Sequence, residues 1–158
     1  MKFRSMNNTD FISDWVTTEN SIRPLAFEHT SQALLVLDPH QNQFIDVNIS
    51  ATKLLRYERH ELIQKTVTSI FGHFSQLPDL VAFTEETLAK GYAWNNELYA
   101  FDKNGEKIQF DVSSVSIPYK NKTLLIWSLV DVKDLELRQL NKNADKVIRA
   151  GLKEWQAL

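Results

Sequence analysis

The sequence predicts an α+β domain: a five-stranded antiparallel sheet with short helices on one face, an amphipathic helix before it and a linker helix after it. Three observations support this prediction. Two apolar runs joined by turn residues form a hairpin near the start, and three strand-like runs joined by turns come near the end. Capped helical patterns lie between them. Such segregation of strands and helices is typical of α+β folds.

Composition excludes several classes of function. Hydrophobic residues make up 43% and charged residues 24% of the 158 residues, which suits one ordinary folded domain. The net charge of −2 gives no basic field, so direct nucleic-acid binding is not expected. The absence of cysteine excludes disulfides, thiolate metal sites, thiol nucleophiles and cysteine-linked cofactors. Because there is neither a secretory signal nor an apolar stretch of ~18 residues, we expect a cytoplasmic protein without membrane attachment.

The first predicted element is a short amphipathic helix. Thr9 can cap it, and its apolar side chains fall at helical spacing. They are Phe11, Ile12, Trp15 and Val16. An apolar face of this kind needs a partner, and two alternatives are open. The face packs on its own domain, or it also forms a dimer contact, for which Phe11 and Trp15 are the candidates.

A hairpin and several short helices follow. The apolar run 33–37 ends in turn residues at 38–42, and extended structure resumes at 44–47. Asn48 then occupies a helix N-cap position, ahead of an apolar helical pattern. Further short helical turns are predicted up to a break near Gly72.

A longer helix is predicted from Pro78 to Lys90. Proline suits the first turn of a helix, and Gly91 stands where a left-handed C-terminal cap belongs. Apolar and small residues share one face of this helix. They are Leu77, Val81, Thr84 and Leu88.

Three antiparallel strands complete the predicted sheet. Tyr92–Phe101 and Lys107–Ile117 flank the turn 102–105, whose Asn-Gly pair is the signature of a tight hairpin. In the second of these strands the apolar alternation slips at residues 113–114, which predicts a β-bulge. Thr123–Val130 is rich in branched and aromatic residues and is predicted as the next strand of the meander.

The last segment is predicted to be an amphipathic linker helix. Its apolar positions drift as in an ~11-residue repeat, so a long leucine zipper is not encoded. These positions are Leu137, Leu140, Ala144, Val147, Ile148, Leu152 and Trp155. Leu137 and Leu140 are the candidates for a dimer contact at this end.

The order of these elements resembles a PAS domain. The resemblance covers residues 27–133, between an N-terminal segment 1–26 and the linker helix 134–158. It depends on a series of marks in a fixed order. They are Asp38 before the hairpin, Val47-Asn48 opening a helix, Tyr57 with Glu61-Leu62, Trp94 with Glu97, the polar turn Asp102 to Gly105, and Asp131-Val132-Lys133 at the sheet exit.

The resemblance implies a curved sheet whose concave face, covered by helices, encloses a small core. Domains of this family sense a small molecule, redox state, light or a partner, and pass the result through their terminal helices. The candidate ligand-binding residues are Asn48 as a polar contact and, as apolar lining, Val36, Phe83, Trp94, Leu98, Phe110 and Trp127. The alternative is a filled core in which Asn48 serves as a helix cap alone.

Asp131 is the candidate signal-relay residue. A carboxylate at a strand-to-helix junction can cap the following helix and set its angle. We therefore expect Asp131 to couple the sheet to the linker helix.

The sequence does not identify a cofactor. Haem-binding members of the family use a histidine on the long helix, and residues 78–90 contain none. A cysteine-linked flavin is excluded because the chain lacks cysteine, whereas a non-covalent flavin stays open. The histidines show no metal-binding spacing. They are His29, His40, His60 and His73.

Enzymatic activity is not expected. The chain has no GxSxG motif, glycine-rich phosphate loop or nucleophile–base pair. An alternative from another class, a half-barrel enzyme of the steroid-isomerase type, needs a buried acid with a perturbed pKa in its core.

These observations predict an intracellular sensory and interaction domain that relays a ligand or partner signal through its terminal helices to an output domain in transcriptional regulation. Residues 150–155 resemble the linker that follows input domains in sigma-54-dependent activators. The input domain of a sensor histidine kinase is an equal alternative, and a ligand-free dimerisation module is a third. The expected partners are a second copy of the chain and an output domain or partner protein.

Overall fold

The computed structural model describes residues 22–137 and 146–151. The helices are α1 (Ile22–His29), α2 (Ile49–Leu55), α3 (Arg59–Ile63), α4 (Val67–Phe71) and α5 (Leu77–Lys90). The strands are β1 (Ala33–Asp38), β2 (Gln43–Val47), β3 (Tyr92–Asn95), β4 (Tyr99–Phe101), β5 (Lys107–Tyr119) and β6 (Lys122–Asp131). Residues 132–137 and 146–151 are also helical. The predicted α+β class is confirmed.

The sheet is antiparallel throughout and has the strand order β2–β1–β6–β5–β3, with β4 pairing to β5 beside β3. The first hairpin, β1–β2, therefore lies next to the last strand in sequence, β6. This arrangement makes β6 a central strand, hydrogen-bonded to β1 on one side and to β5 on the other. The strand that continues into the helix 132–137 is thus anchored on both of its edges.

The two faces of the sheet have separate apolar clusters. The inner face packs against α2, α4 and α5 through the larger cluster, which includes Leu35, Phe71 and Trp127. The outer face carries a smaller cluster in which Phe27 of α1 covers buried residues of three strands. They are Val36, Ile45 and Leu124. Helix α1, which the sequence did not predict, therefore lies on the opposite face from the other helices.

Two predicted details of the second half are wrong. The single strand expected over residues 92–101 is split into β3 and β4, because the Asn95 side chain accepts hydrogen bonds from the backbone of Glu97 and Leu98 and so forms a turn. No β-bulge occurs at residues 113–114, since the pairing of β5 with both neighbours is regular there. Ser114 simply occupies an inward position that an apolar residue would usually take.

Helix α5 forms where it was predicted, and Gly91 caps it with a φ of 88°. Its buried face differs from the predicted one, because Leu80 and Phe83 enter the core. The predicted face instead lines an open groove of about 420 Å³ between α5 and the β1–β2 turn. Its residues are Leu77, Val81, Thr84 and Leu88.

A methyl group at Gly72 is expected to destabilise the domain. Gly72 ends α4, and an added Cβ would lie 2.7 Å from the Cα of Thr68, which is backbone and has no freedom to move aside. We expect Gly72→Ala to lower the free energy of unfolding by about 1–3 kcal/mol, as overpacking does. Urea denaturation measures this. Gly151→Ala, where a Cβ would meet nothing within 4 Å, should cause no loss. Equal effects of the two changes would contradict the steric argument.

Candidate functional site

An aromatic cluster fills the inner face of the sheet. Phe71 of α4 lies at its centre, with ring centroids 6.5 Å from Phe44, 6.1 Å from Phe110 and 5.3 Å from Trp127. Phe83 of α5 approaches Trp127 from the other side at 5.6 Å. The tilted and edge-on ring pairs are the arrangements that aromatic quadrupoles prefer. Helices α4 and α5 are thereby connected to β5 and β6 through one set of contacts.

Two buried polar groups lie within this apolar cluster. Ser114 of β5 and Trp127 of β6 are directly opposite each other in the sheet and both point inward. The Ser114 Oγ and the Trp127 Nε1 are fully buried and have no hydrogen-bond partner within the described part of the chain. Buried polar groups are nearly always paired, so this cross-strand couple is the candidate polar contact for a bound molecule.

The residues predicted to line a pocket lie on both faces of the sheet. Phe83, Leu98, Phe110 and Trp127 are buried in the inner cluster, which suits both a pocket lining and a filled core. The prediction for Val36 and Trp94 is wrong, because both face outward. Val36 is packed under α1 in the outer cluster. Trp94 is 57% exposed, since its position in β3 pairs with the outward-facing Ser113.

Sequence reasoning missed Ser114. The slip in apolar alternation was interpreted as a bulge, although an unbroken period of two would have placed this serine beside Phe110 and Val112 on the inner face. The signal was therefore present in the sequence. Only the pairing of β5 with β6 shows that the serine lies opposite Trp127, whose indole N–H is polar.

All hydrogen bonds that the Asn48 side chain can form are made within the domain. Its Oδ1 accepts from the backbone N–H of Ala51 at 3.0 Å, which caps α2, and from that of Leu34 at 2.9 Å. Its Nδ2 donates to the carbonyl oxygens of Phe27 at 2.9 Å and Gln32 at 2.7 Å. These four bonds use the full capacity of the amide. The prediction that Asn48 contacts a ligand is therefore corrected: it caps α2 and joins α1 to the sheet.

The buried carboxylates outside the aromatic cluster all have structural partners. Asp38 accepts from the backbone of the β1–β2 turn and pairs with Lys122 at 3.3 Å. Asp102 accepts hydrogen bonds from the backbone of the β4–β5 turn, and its Oδ2 lies 3.5 Å from the Nε of Arg56. Asp46 pairs with Arg59 at 2.8 Å. No acid among them has the unpaired, core-facing placement that the steroid-isomerase alternative requires.

The contact between α1 and the sheet is acidic. Burial raises the pKa of Glu28 above its ordinary value of 4.5, and the charge of Asp46 raises it further. Arg59 and His29 lower it, as does a hydrogen bond from the Ile49 backbone. Burial also raises the pKa of Asp46, against the effect of Arg59. Both carboxyl groups are therefore harder to ionise in the folded domain, although the charge of Arg59 partly offsets the effect of burial.

We expect the stability contribution of Glu28 to depend on pH. An acid with a raised pKa in the folded state costs free energy once it ionises, so the cost is complete above the raised pKa and disappears as the pH falls toward 4.5. Glu28→Gln should therefore be more stable than the wild type at pH 7, and the difference should vanish as the pH falls toward 4.5. Urea denaturation at a series of pH values measures it.

Glu61 supplies a control of opposite sign. A hydrogen bond from Lys103 lowers the pKa of Glu61 below 4.5, so its contribution is present above that value and is lost as the pH falls through the folded-state pKa. Glu61→Gln should be less stable than the wild type at neutral pH. Parallel pH profiles for the two variants would contradict the assignment.

The exit from the sheet is continuous. Strand β6 ends at Asp131, and residues 132–137 are helical with no loop between. The Asp131 carboxylate accepts from the backbone N–H of Lys133 at 2.9 Å, which is the local contact expected of a helix-starting residue. Leu137 on this helix is 57% exposed. The other dimer candidates, Phe11, Trp15 and Leu140, lie outside the described residues.

Two features that would indicate other kinds of site are absent from residues 22–137 and 146–151. Among residues 22–137 and 146–151, no group of three or more histidine, aspartate or glutamate side chains is close enough to hold a metal ion. None of the helices in the same part of the chain has the length and apolar character that a membrane crossing requires.

Comparison with known proteins agrees with this architecture. The family model described as "PAS domain" matches residues 31–134. None of the curated proteins matches the chain. Among solved structures, the chain is similar to a PAS domain from a two-component sensor histidine kinase, with 15% identity and a TM-score of 0.61 over 72% of this chain and 96% of that one.

Two other solved structures show the same fold. One is the PAS domain of a protein from Colwellia psychrerythraea, with 20% identity and a TM-score of 0.61 over 70% of this chain and 93% of that one. The other is the PAS domain, in complex with ethanol, of a LuxR-family transcriptional regulator from Burkholderia thailandensis. It has 14% identity and a TM-score of 0.59 over 70% of this chain and 96% of that one. With its sheet order, its helices and the family match over residues 31–134, this chain belongs to the PAS domain family.

Proposed function

We propose that this PAS domain senses a small uncharged molecule at its inner face and relays the binding event through β6 to the helix that follows. The observation that carries the proposal is the Ser114–Trp127 couple, two buried polar groups on opposed residues without partners in the described part of the chain. The indole N–H can only donate, whereas the serine hydroxyl donates or accepts. A ligand with a hydroxyl, carbonyl or amide group satisfies both.

The apolar surroundings define the rest of the ligand. Rings of Phe71 and Phe83 contact the Trp127 ring, and Phe110 contacts Phe71, so a charged ligand would pay a large desolvation cost there. The PAS domain of the LuxR-family regulator named above is in complex with ethanol, which is uncharged and has one hydroxyl group. Neither haem nor a cysteine-linked flavin is part of the proposal, since residues 78–90 contain no histidine and the chain has no cysteine.

The relay would use the central strand. Trp127 lies four residues before Asp131, on a strand held on both sides by β1 and β5, and the strand passes directly into helix. A rearrangement of the Trp127 ring on binding can therefore reach residues 132–137 without crossing a loop. A ligand drives such a change only if it binds the two arrangements unequally.

The setting that we propose is cytoplasmic. The output is either transcriptional regulation or a sensor histidine kinase, since PAS domains of similar structure come from both kinds of protein. We further propose that the protein acts as a homodimer, with Leu137 and Leu140 of the linker helix at the contact between the two copies.

The binding step is tested with a series of short alcohols and amides, from ethanol to butanol and from acetamide to butyramide. Thermal shift of the purified chain identifies the binder, and fluorescence of Trp127 gives its affinity in a variant with the other three tryptophans changed to phenylalanine. Removing the hydroxyl in Ser114→Ala should weaken the affinity about tenfold, the cost of one hydrogen bond. Ser113→Ala, on the neighbouring but outward-facing residue, should leave the affinity unchanged.

Hydrogen exchange tests the relay. The binder should change exchange in residues 132–137 as well as in α4 and α5, and Asp131→Ala should remove the change at 132–137 while leaving the affinity intact. The ligand proposal is overturned if no compound binds or if both serine variants behave alike. The relay proposal is overturned if a bound compound leaves residues 132–137 unaltered.

A further inference from the structure

One apolar row crosses the whole outer face of the sheet. Pairing places Val36 opposite Ile126, Ile126 opposite Val115, and Val115 opposite Tyr92. Exposure rises along the row: Val36 is buried, Ile126 is half-buried, Val115 is 49% exposed and Tyr92 is 68% exposed. Among the described residues, α1 places Phe27 on this face, and the buried side chains of its cluster belong to β1, β2 and β6, which accounts for the gradient.

Trp94 widens the open end of this row. It lies two residues after Tyr92 on β3, so both side chains stand on the same face, and its indole N–H donates to the Asp111 carboxylate. This hydrogen bond connects the ring to β5, while 57% of the residue is exposed. We call Tyr92, Trp94 and Val115 the outer-face patch. Clustered exposed apolar side chains of this kind mark an interaction surface, whereas scattered ones do not.

The size of the outer-face patch limits what can cover it. Two aromatic side chains of about 150–250 Å² each, more than half exposed, with one valine amount to a few hundred Å². A stable dimer interface needs about 800 Å² from each partner. The patch alone therefore fits a single short amphipathic segment better than a second folded domain.

A segment of this kind precedes α1 in the same chain. The pattern at residues 9–16 places Phe11, Ile12, Trp15 and Val16 on one apolar face. From Val16 to the first residue of α1 there are six residue steps, which span about 20 Å when extended. Three strand spacings of ~4.8 Å separate β1 from β3, about 14 Å in all. The segment is long enough to continue along the face on which α1 already lies.

We propose that residues 9–16 dock on the outer-face patch of their own domain and extend the cover that α1 begins. Of the two alternatives for this apolar face, packing on its own domain and a dimer contact, the continuity of the apolar row with the α1 contact and the size of the patch select the first. Trp15 and Phe11 would then shield Trp94, Tyr92 and Val115 from water.

Cross-linking tests the proposal directly, because the chain has no cysteine. The full chain carries Val16→Cys with Val115→Cys in one variant, and Val16→Cys with the exposed Glu86→Cys on α5 in the control. Each is treated with a short bismaleimide at low protein concentration and analysed by intact mass and peptide mapping. We expect an intramolecular product in the first variant, formed at least ten times faster than in the control.

Other products contradict the proposal. A mainly intermolecular product would show that a second copy occupies the patch, and equal rates in the two variants would show that residues 9–16 do not dock there. A second measurement needs no cysteine: Tyr92→Ser with Trp94→Ser should speed hydrogen exchange of residues 9–16 at least fivefold. Val81→Ser, at an apolar residue of the α5 groove that is 48% exposed, is the control and should not change it.

Discussion

Asn48→Ala should cause a large loss in the free energy of unfolding of this domain. The change removes the cap of α2, worth about 1 kcal/mol, and leaves the buried carbonyl of Phe27 without its partner, at about 1–3 kcal/mol. It also removes the part-buried hydrogen bonds to Leu34 and Gln32, at about 0.5–1.5 kcal/mol each. Partial relaxation and entry of water reduce the sum, so we expect a loss of at least about 3 kcal/mol. Against a total stability of about 5–15 kcal/mol for a typical domain, this is a large fraction.

Urea denaturation followed by far-UV circular dichroism measures the loss. Asn96→Ala provides the matched control, because Asn96 is an exposed asparagine in the turn between β3 and β4, and its replacement should change the stability by less than about 0.5 kcal/mol. Hydrogen exchange adds a local test: Asn48→Ala should deprotect α1 along with α2, since the amide of Asn48 bonds to both. A loss confined to α2 would show that Asn48 acts as a cap only.

Phe71→Ala should cause a loss of similar size by another mechanism. Phe71 is fully buried and contacts Phe44, Phe110 and Trp127, so its removal empties the centre of the aromatic cluster. Truncation of a buried phenylalanine costs about 3–5 kcal/mol, the transfer term plus the cavity. If the alanine variant does not fold, Phe71→Leu retains part of the volume and should show a smaller loss in the same denaturation experiment.

Phe74→Ala is the control that the chain itself provides. Phe74 lies three residues further on and is 93% exposed, so the same chemical change should alter stability by less than about 0.5 kcal/mol. The comparison separates the effect of losing a phenyl ring from that of opening the core. Comparable losses at the two positions would contradict the central place of Phe71.

Local sequence signals predicted the elements well. The Asn-Gly turn before β5, the proline and glycine at the two ends of α5 and the N-cap at Asn48 depend on backbone chemistry within a few residues, so they are legible without a structure. The split between β3 and β4 was missed because it depends on one side chain, Asn95, that turns back on its own backbone.

The sequence by itself determined the class of the domain, its chain of turns and caps, and the exclusion of cysteine chemistry, since all of these follow from residue type and local spacing. Alternation with a period of two also showed which residues of a strand share a face. Only the tertiary structure decided which face is inside. It placed Trp94 outward and Ser114 opposite Trp127, because that choice depends on which helices cover each side of the sheet. It also gave Asn48 a partner in Phe27, 21 residues away in sequence, a contact that no local pattern encodes.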